Sequence, residues 1–274
     1  MDDDRLYGML TRLIALSPEG DAGRNALVRA VCAEAVSLLP LAAEGEADDD
    51  PQLAEFAEQF AVDVSVISPQ QRAAFMTALG AKAFRMAALI FVADFVPRVR
   101  MGLSALGFAP VVDPVVWDRD TDPVDLLLNQ FAPMVGALRE LDPVTTEVVR
   151  LRGAVQHDCR LCKSLREGAA LDAGGTESLY SDIEDYESSR LLDDRHKAAL
   201  RYVDALIWTP SKIDADVAAG VRTHFADAEA LEITLDVMRN GANKIAVALG
   251  GDAPRVETGT ERYVLGLDGQ PVYS

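Results

Sequence analysis

The sequence predicts an all-α protein, and three observations carry that prediction. Alanine and leucine dominate a chain that is 49% hydrophobic and only 6% aromatic. Apolar residues recur at three- and four-residue spacing, and isolated two-residue alternation of the kind that marks a strand is hard to find. With 274 residues the chain has the length for one large or two modest domains, each with a real core.

Residues 42–52 form an acidic, poorly periodic break. Beyond it Leu53, Phe56, Ala57 and Phe60 fall at i, i+3, i+4 and i+7 and predict an amphipathic helix. A longer helix follows, with a heptad-like stripe of Leu89, Val92, Val96, Val99, Leu103 and Leu106. Its most apolar stretch, residues 86–97, is interrupted by Asp94 and reads as too short to cross a bilayer. A second break, residues 109–122, contains Pro110, Pro114 and the cluster Asp118-Arg119-Asp120, a pattern that marks a domain boundary. A third, residues 174–189, is polar and acidic, with Leu179, Ile183 and Tyr186 spaced for a short helix. Ala199, Tyr202, Val203 and Leu206 then repeat the first pattern, and Leu231, Leu235, Met238, Ala242, Ile245 and Leu249 repeat the second. Both long helices end in Ala-Leu-Gly, at 105–107 and 248–250, where glycine suits the position just past a helix.

We read residues 53–107 and 199–250 as diverged copies of one unit. The competing explanation is the likeness that all amphipathic hairpins share. The expected organisation is an N-terminal helical half-domain over 1–110, a second domain over 120–252, and a tail over 253–274. That tail has turns at Gly259, Gly266 and Gly269, and either wraps a neighbouring subunit or is disordered.

A formal charge of −18 disfavours nucleic acid and anionic membrane surfaces as partners. The start, Met1-Asp2-Asp3-Asp4, is the reverse of a basic signal-peptide leader, so a cytoplasmic, reducing setting is expected. Three cysteines cannot make a disulfide framework, so a C-x-x-C spacing reads as chemistry or metal rather than as a staple.

That spacing is Cys159-Arg160-Leu161-Cys162. Upstream, Asp142 as N-cap and Pro143 at the first helical position open a helix whose apolar stripe is Val144, Val148, Leu151 and Val155. Glu147 lies about 60° from the centre of this stripe, at the edge of the buried face. A second helix starting at Asp158 puts both cysteines in its first turn and Arg166 one turn further along the same face. Helix N–H groups with Arg160, Lys163 and Arg166 would lower a thiol pKa and let a dithiol cycle with a disulfide. Other readings stay open. A zinc site has only His157 and Asp158 nearby and no second C-x-x-C. A thioredoxin-type site needs a βαβ setting that helical flanks deny. Two unreactive buried cysteines would need nothing more.

A helix bearing Glu, followed twelve residues later by Cys-x-x-Cys opening the next helix, resembles the alkylhydroperoxidase AhpD-like family, which also contains carboxymuconolactone decarboxylases. Glu147 and Cys159 keep that separation. The resemblance continues through residues 198–206 and 236–246; it covers about 120–250 as a domain and, more weakly, 51–107 as a half-domain. It implies an AhpD-like helical bundle, homo-oligomers, an organic hydroperoxide as substrate, and a thiol or reducing protein as electron donor. By matching position Cys162 would be the peroxidatic thiol, Cys159 the resolving thiol, and Glu147 the anchor of a proton relay. The decarboxylase branch lacks the cysteine pair, which disfavours lactone decarboxylation.

The sequence departs from the family where histidines are expected: Leu161 stands between the cysteines and Arg166 four residues after the second. Arg166 has the chemistry to pair with Glu147 and hold a thiolate, but it does not pass protons near neutral pH. His157 is the one local residue whose ordinary pKa suits a shuttle, with a helix cap or surface position as its bland alternative. Loss of the relay favours a second function, a non-catalytic protein of the same fold that uses the pair as a redox sensor or for packing. Cys32 reads as a small core residue, His196 and His224 as surface, and Asn240 and Asn243 as inter-helix hydrogen bonding or pocket lining. Nothing indicates a metal, flavin or haem.

Overall fold

In a computed structural model that describes residues 3–273, 63% of the chain is helix and 5% is strand. Met1 and Asp2 of the acidic start, and Ser274 of the tail, lie outside the described residues. The chain opens with α1 (Asp3–Ala15), α2 (Ala22–Ala35), α3 (Pro51–Val62), α4 (Pro69–Leu79) and α5 (Ala83–Leu106). After a π-helical turn come α6 (Ala132–Gly136), α7 (Pro143–Gln156), the one-turn α8 (Arg160–Lys163) and strand β1 (Leu165–Glu167). Then follow α9 (Gly168–Asp172), α10 (Glu177–Ser181), α11 (Asp194–Trp208), α12 (Ala215–His224), α13 (Asp227–Gly241) and α14 (Lys244–Leu249). Strands β2 (Glu261–Leu265) and β3 (Pro271–Tyr273) end the chain.

Local chemistry sets these boundaries. Asp50 accepts the Leu53 N–H and Pro51 occupies the first turn of α3. Ser68 and Gln71 form a capping box ahead of α4. Gly107 and Gly250 take the left-handed conformation that the two Ala-Leu-Gly endings predict. The expected second long helix is instead interrupted after Gly241 and continues as α14. A Cβ on Gly241 would come within 2.7 Å of the Phe95 ring, so this position has to be bare for α13 to reach α5.

One hydrophobic core runs from Leu6 to Ala248, with α5 at its centre. A smaller cluster joins Val148, Leu151, Tyr180, Ile183, Tyr186, Leu192 and Leu200 beside α7 and α11. Ile183 and Tyr186, expected to extend a short helix, lie just beyond α10 and are buried there. The helical run Pro69–Leu106 has the length and mean hydropathy of a membrane-crossing segment, more than residues 86–97 alone suggest. The packing of α5 inside the core accounts for its apolar composition, because nearly every side of it meets another helix.

A charge network lies within that core. Asp94 Oδ1 accepts from Arg98 Nε (2.7 Å) and Asp94 Oδ2 from Lys244 Nζ (2.6 Å). Arg98 also donates to the Ala61 carbonyl (2.8 Å) and to those of Leu206 and Ile207. Lys244 Nζ sits 4.7 Å from the centre of the Phe60 ring. These contacts tie α3, α5, α11 and α14 together.

Among the described residues, the tail packs on its own chain and forms two strands. β2 pairs in parallel with β1, Leu165 opposite Glu261 and Glu167 opposite Tyr263, and β3 pairs antiparallel with β2. This three-stranded sheet is the non-helical addition to the expected fold.

Replacing Asp94 with alanine would leave two buried cations without their carboxylate, and we expect a loss of about 3–5 kcal/mol in urea unfolding. Adding Lys244→Met should recover part of it. A change below about 1 kcal/mol would show that the network does not hold the core.

Candidate redox site at the cysteine pair

Asp142 caps α7 as the sequence predicts, its Oδ1 accepting the Thr145 N–H at 2.9 Å. α7 ends at His157, and Asp158 turns the chain with φ of +49°, a left-handed conformation that aspartate tolerates better than most residues. Cys159 is the N-cap of α8 and Cys162 lies inside its single turn. The two are joined as a disulfide with their Cα atoms 5.3 Å apart. The Cys162 N–H also points at Cys159 Sγ, at 3.2 Å. Both cysteines are buried, 1% and 6% exposed.

Glu147 is buried and engages Arg150, three residues along the same helix. Arg150 Nε meets Glu147 Oε2 at 2.6 Å and Nη2 meets Oε1 at 2.7 Å, a two-pronged pair. The guanidinium then reaches forward: Nη1 donates to the Cys162 carbonyl (2.9 Å) and Nη2 to the Leu165 carbonyl (2.8 Å). Glu147 Oε1 also accepts the Glu167 N–H at 3.2 Å. Burial opposes the charge on Arg150, and the Glu147 carboxylate more than offsets this, holding its pKa above the ordinary arginine value. Tyr263, from β2, lies with its ring centre 5.7 Å from this guanidinium. Burial first, then the charge of Glu147, pushes the buried Tyr180 phenol up to about 12, so it stays protonated.

Arg166 goes elsewhere than expected. The chain leaves the helix at Ser164 and enters β1, so Arg166 is not one turn beyond Cys162 on a helical face. Its guanidinium pairs with Glu177 (2.9 and 2.8 Å) and donates to the Lys163 and Leu165 carbonyls. Arg150 occupies the role beside Glu147, and its i+3 spacing is the sequence signal for it.

His157 is buried as well, edge-on to Phe95 at 6.3 Å between ring centres, with Nε2 unpartnered. Burial, followed by the charges of Lys244 and Arg98, holds its pKa well below the usual histidine range. The ring therefore faces the charged core as a neutral group. The structure thus brings Cys159, Cys162 and, through Arg150, Glu147 together; it directs Arg166 to Glu177 and sets the His157 ring against Phe95.

Cys32 is fully buried, and burial pushes its thiol pKa upward. His196 sits at the start of α11, its Nδ1 2.7 Å from Asp193. Asn240 and Asn243 line a cleft of about 290 Å³ with Arg239, Ile245, Phe84 and Pro271, and neither cysteine of the pair borders it. Asn240 Nδ2 is buried without a partner.

With this geometry in view, the comparisons with known proteins place the chain. No protein-family model matches it. The Mycobacterium tuberculosis proteins Rv2313c and MT2376 are each 56% identical over 274 residues, covering 96% of both chains. This chain belongs to their family. The names of these family members carry no activity. YnjA of Escherichia coli is similar at 26% identity over 135 residues, 49% of this chain and 74% of its own length.

α13 brings two further buried carboxylates to the entry of α7. Glu232 Oε2 accepts the backbone N–H groups of Glu140 (2.7 Å) and Leu141 (3.3 Å). Burial, then the charge of Asp236, pushes Glu232 up to about 7. Burial pushes Asp236 up to about 6, against the pull of Arg239. A carboxyl group whose folded pKa is raised stabilises the fold at low pH, and that contribution is lost as pH climbs through the folded value. His157 has the opposite sign, since its depressed pKa removes stability as pH falls below about 6.5. Comparing variant with wild type isolates the glutamate. Between pH 5 and 8, Glu232→Gln should gain about 1–3 kcal/mol in urea-unfolding stability relative to wild type as pH rises. A difference that does not vary with pH would contradict this assignment.

Proposed function

We propose that this protein is a thiol-dependent oxidoreductase that reduces organic hydroperoxides through Cys159 and Cys162. The observation that carries this reading is the disulfide between them, with Cys159 capping the helix that contains Cys162. The resemblance of the Glu147-to-Cys159 segment to the AhpD-like family supplies the substrate class.

In the proposed cycle the Cys162 thiolate attacks the distal peroxide oxygen and the O–O bond breaks. The alkoxide takes a proton from water and leaves as the alcohol, with Cys162 as a sulfenic acid. Cys159 then attacks the Cys162 sulfur, hydroxide departs and is protonated to water, and the disulfide closes. A dithiol donor returns two electrons and two protons. Arg150 donates to the Cys162 carbonyl and so fixes the turn that carries this cysteine. Glu147 neutralises that arginine and orients it, so it acts here as a positioning group rather than as the start of a proton relay. In a reducing cytoplasm, the expected setting, such a disulfide is an intermediate rather than a staple.

The finer architecture belongs to the same reading. α3, a 3-10 turn, α4, a second 3-10 turn over Gly80–Lys82 and α5 resemble in order α11, a 3-10 turn, α12 and α13–α14, each series ending at a left-handed glycine. This shared order supports a diverged duplication in which the C-terminal copy alone follows a cysteine pair. The family resemblance adds a homo-oligomer.

The burial of both sulfurs favours a second reading, a redox sensor with slow or no peroxide turnover. Consumption of cumene hydroperoxide with dithiothreitol as donor separates the two. The peroxidase reading expects turnover that Cys162→Ser abolishes, while Cys159→Ser should consume peroxide without forming the intramolecular disulfide. Disulfide formation in mass spectra without turnover would replace the peroxidase with the sensor.

A further inference from the structure

The one-turn helix that carries the disulfide is tied at both ends to the C-terminal segment. At its start Asp252 Oδ2 accepts the backbone N–H and Nε of Arg160, both at 3.1 Å, and Oδ1 accepts Nη2 at 2.7 Å. At its end Ser164 Oγ accepts the Arg255 N–H at 3.0 Å, and the Ser164 carbonyl accepts the Glu261 N–H at 2.9 Å. β2 then continues along β1, and Tyr263 closes over Arg150. Farther out, the turn at Gly269 presses on the end of α6. A Cβ there would come within 1.9 Å of the Pro133 carbonyl oxygen, and the backbone has φ of +75°, so only glycine fits.

What holds this segment is mostly polar. Tyr263 is buried, but Val264, Leu267, Val272 and Tyr273 are exposed, Leu267 completely. A segment with many hydrogen bonds and little apolar burial opens at low free-energy cost compared with the core. A single helical turn is likewise unstable alone, because nucleation costs more than one turn returns. α8 therefore depends on the disulfide, on Arg150 and on these anchors together.

We propose that residues 252–273 form a strap that closes the cysteine pair off from thiols and oxidants, and that the strap loosens when the pair is reduced. The proposal deepens the redox reading of the site and rests on it. Reduction breaks the S–S bond with two electrons and two protons, giving two thiols and freeing Cys159 from Cys162. α8 then loses one of its restraints, and the grip of Asp252 and Ser164 on the segment weakens. Linkage makes the effect reciprocal: whatever opens the strap also favours reduction of the disulfide.

The test uses the full-length chain. The rate of disulfide reduction by dithiothreitol, which leaves as its cyclic disulfide, is followed by alkylation and mass spectrometry in wild type, Asp252→Asn and Gly269→Val. Gly269→Val lifts the far end of the strap without touching the surroundings of the cysteines. Both variants should be reduced about tenfold faster. Hydrogen exchange at the amides of residues 261–263 should be faster in reduced than in oxidised wild type. If Gly269→Val does not fold, Asp252→Asn with the exchange comparison decides. Equal reduction rates in a variant whose segment exchanges faster would overturn the proposal, as would identical exchange in the two redox states. The readout needs no hydroperoxide. A protein inert to peroxides can still show the strap, and a peroxidase whose variants behave as wild type refutes the strap while keeping the activity.

Discussion

The guanidinium of Arg150 joins the helix that carries Glu147 to the one that carries the cysteines. It is held in a buried place by the Glu147 carboxylate on one side and by the carbonyls of Cys162 and Leu165 on the other. The last carbonyls of any helix have no donor within the helix, and a helix of one turn has little else. α7 supplies that missing donor to α8. A lysine would put a point charge there, without the planar fork that bonds a carboxylate and two carbonyls at once. Removing Glu147 would strand the cation, and the turn bearing Cys162 would lose its support.

The position of α7 is itself set from several sides. Asp142 fixes its start, Glu232 from α13 holds the N–H groups of the turn before it, and His157 at its end lies against the core that Asp94, Arg98 and Lys244 hold together. Burial first, and then the charges of Lys244 and Arg98, hold the imidazole's pKa well below the usual histidine range. The ring packs edge-on to Phe95 of α5.

Much of this was legible from local pattern. The Asp142-Pro143 cap, the burial stripes of α3 and α11 and the two Ala-Leu-Gly endings all rest on neighbours in sequence, whereas α8, expected from Asp158, starts at Arg160 because Asp158 takes a left-handed turn and Cys159 becomes the cap. Cys32, with no cysteine near it, takes the core place its isolation suggests. What the pattern misses depends on distant partners. Leu165-Arg166-Glu167 has no strand signature, and β1 exists because β2, nearly a hundred residues later, pairs with it. Once Ser164 is held by that tail, the helix cannot run on, and Arg166 turns to Glu177 instead of following Cys162. The same holds for Arg150, whose spacing from Glu147 is visible although its reach to α8 depends on where α8 ends. Gly241 has to be bare because Phe95, on another helix, needs the space.

Charge balance gives the absence of relay histidines a physical consequence. Around the disulfide stand Arg150, Arg160 and Lys163, matched by Glu147, Asp252 and Asp158 respectively. In the disulfide state these three cations and three carboxylates cancel. In the proposed cycle a Cys162 thiolate would add a negative charge beside these pairs, with Arg166 already engaged by Glu177. That anion would compete for one of the existing cations. Glu147 is buried and gripped by two bonds, whereas Asp252 belongs to a segment anchored by little apolar surface. In the proposed strap the response to reduction would therefore run outward, to the Arg160–Asp252 pair, and leave the Glu147–Arg150 support of the cysteine turn in place.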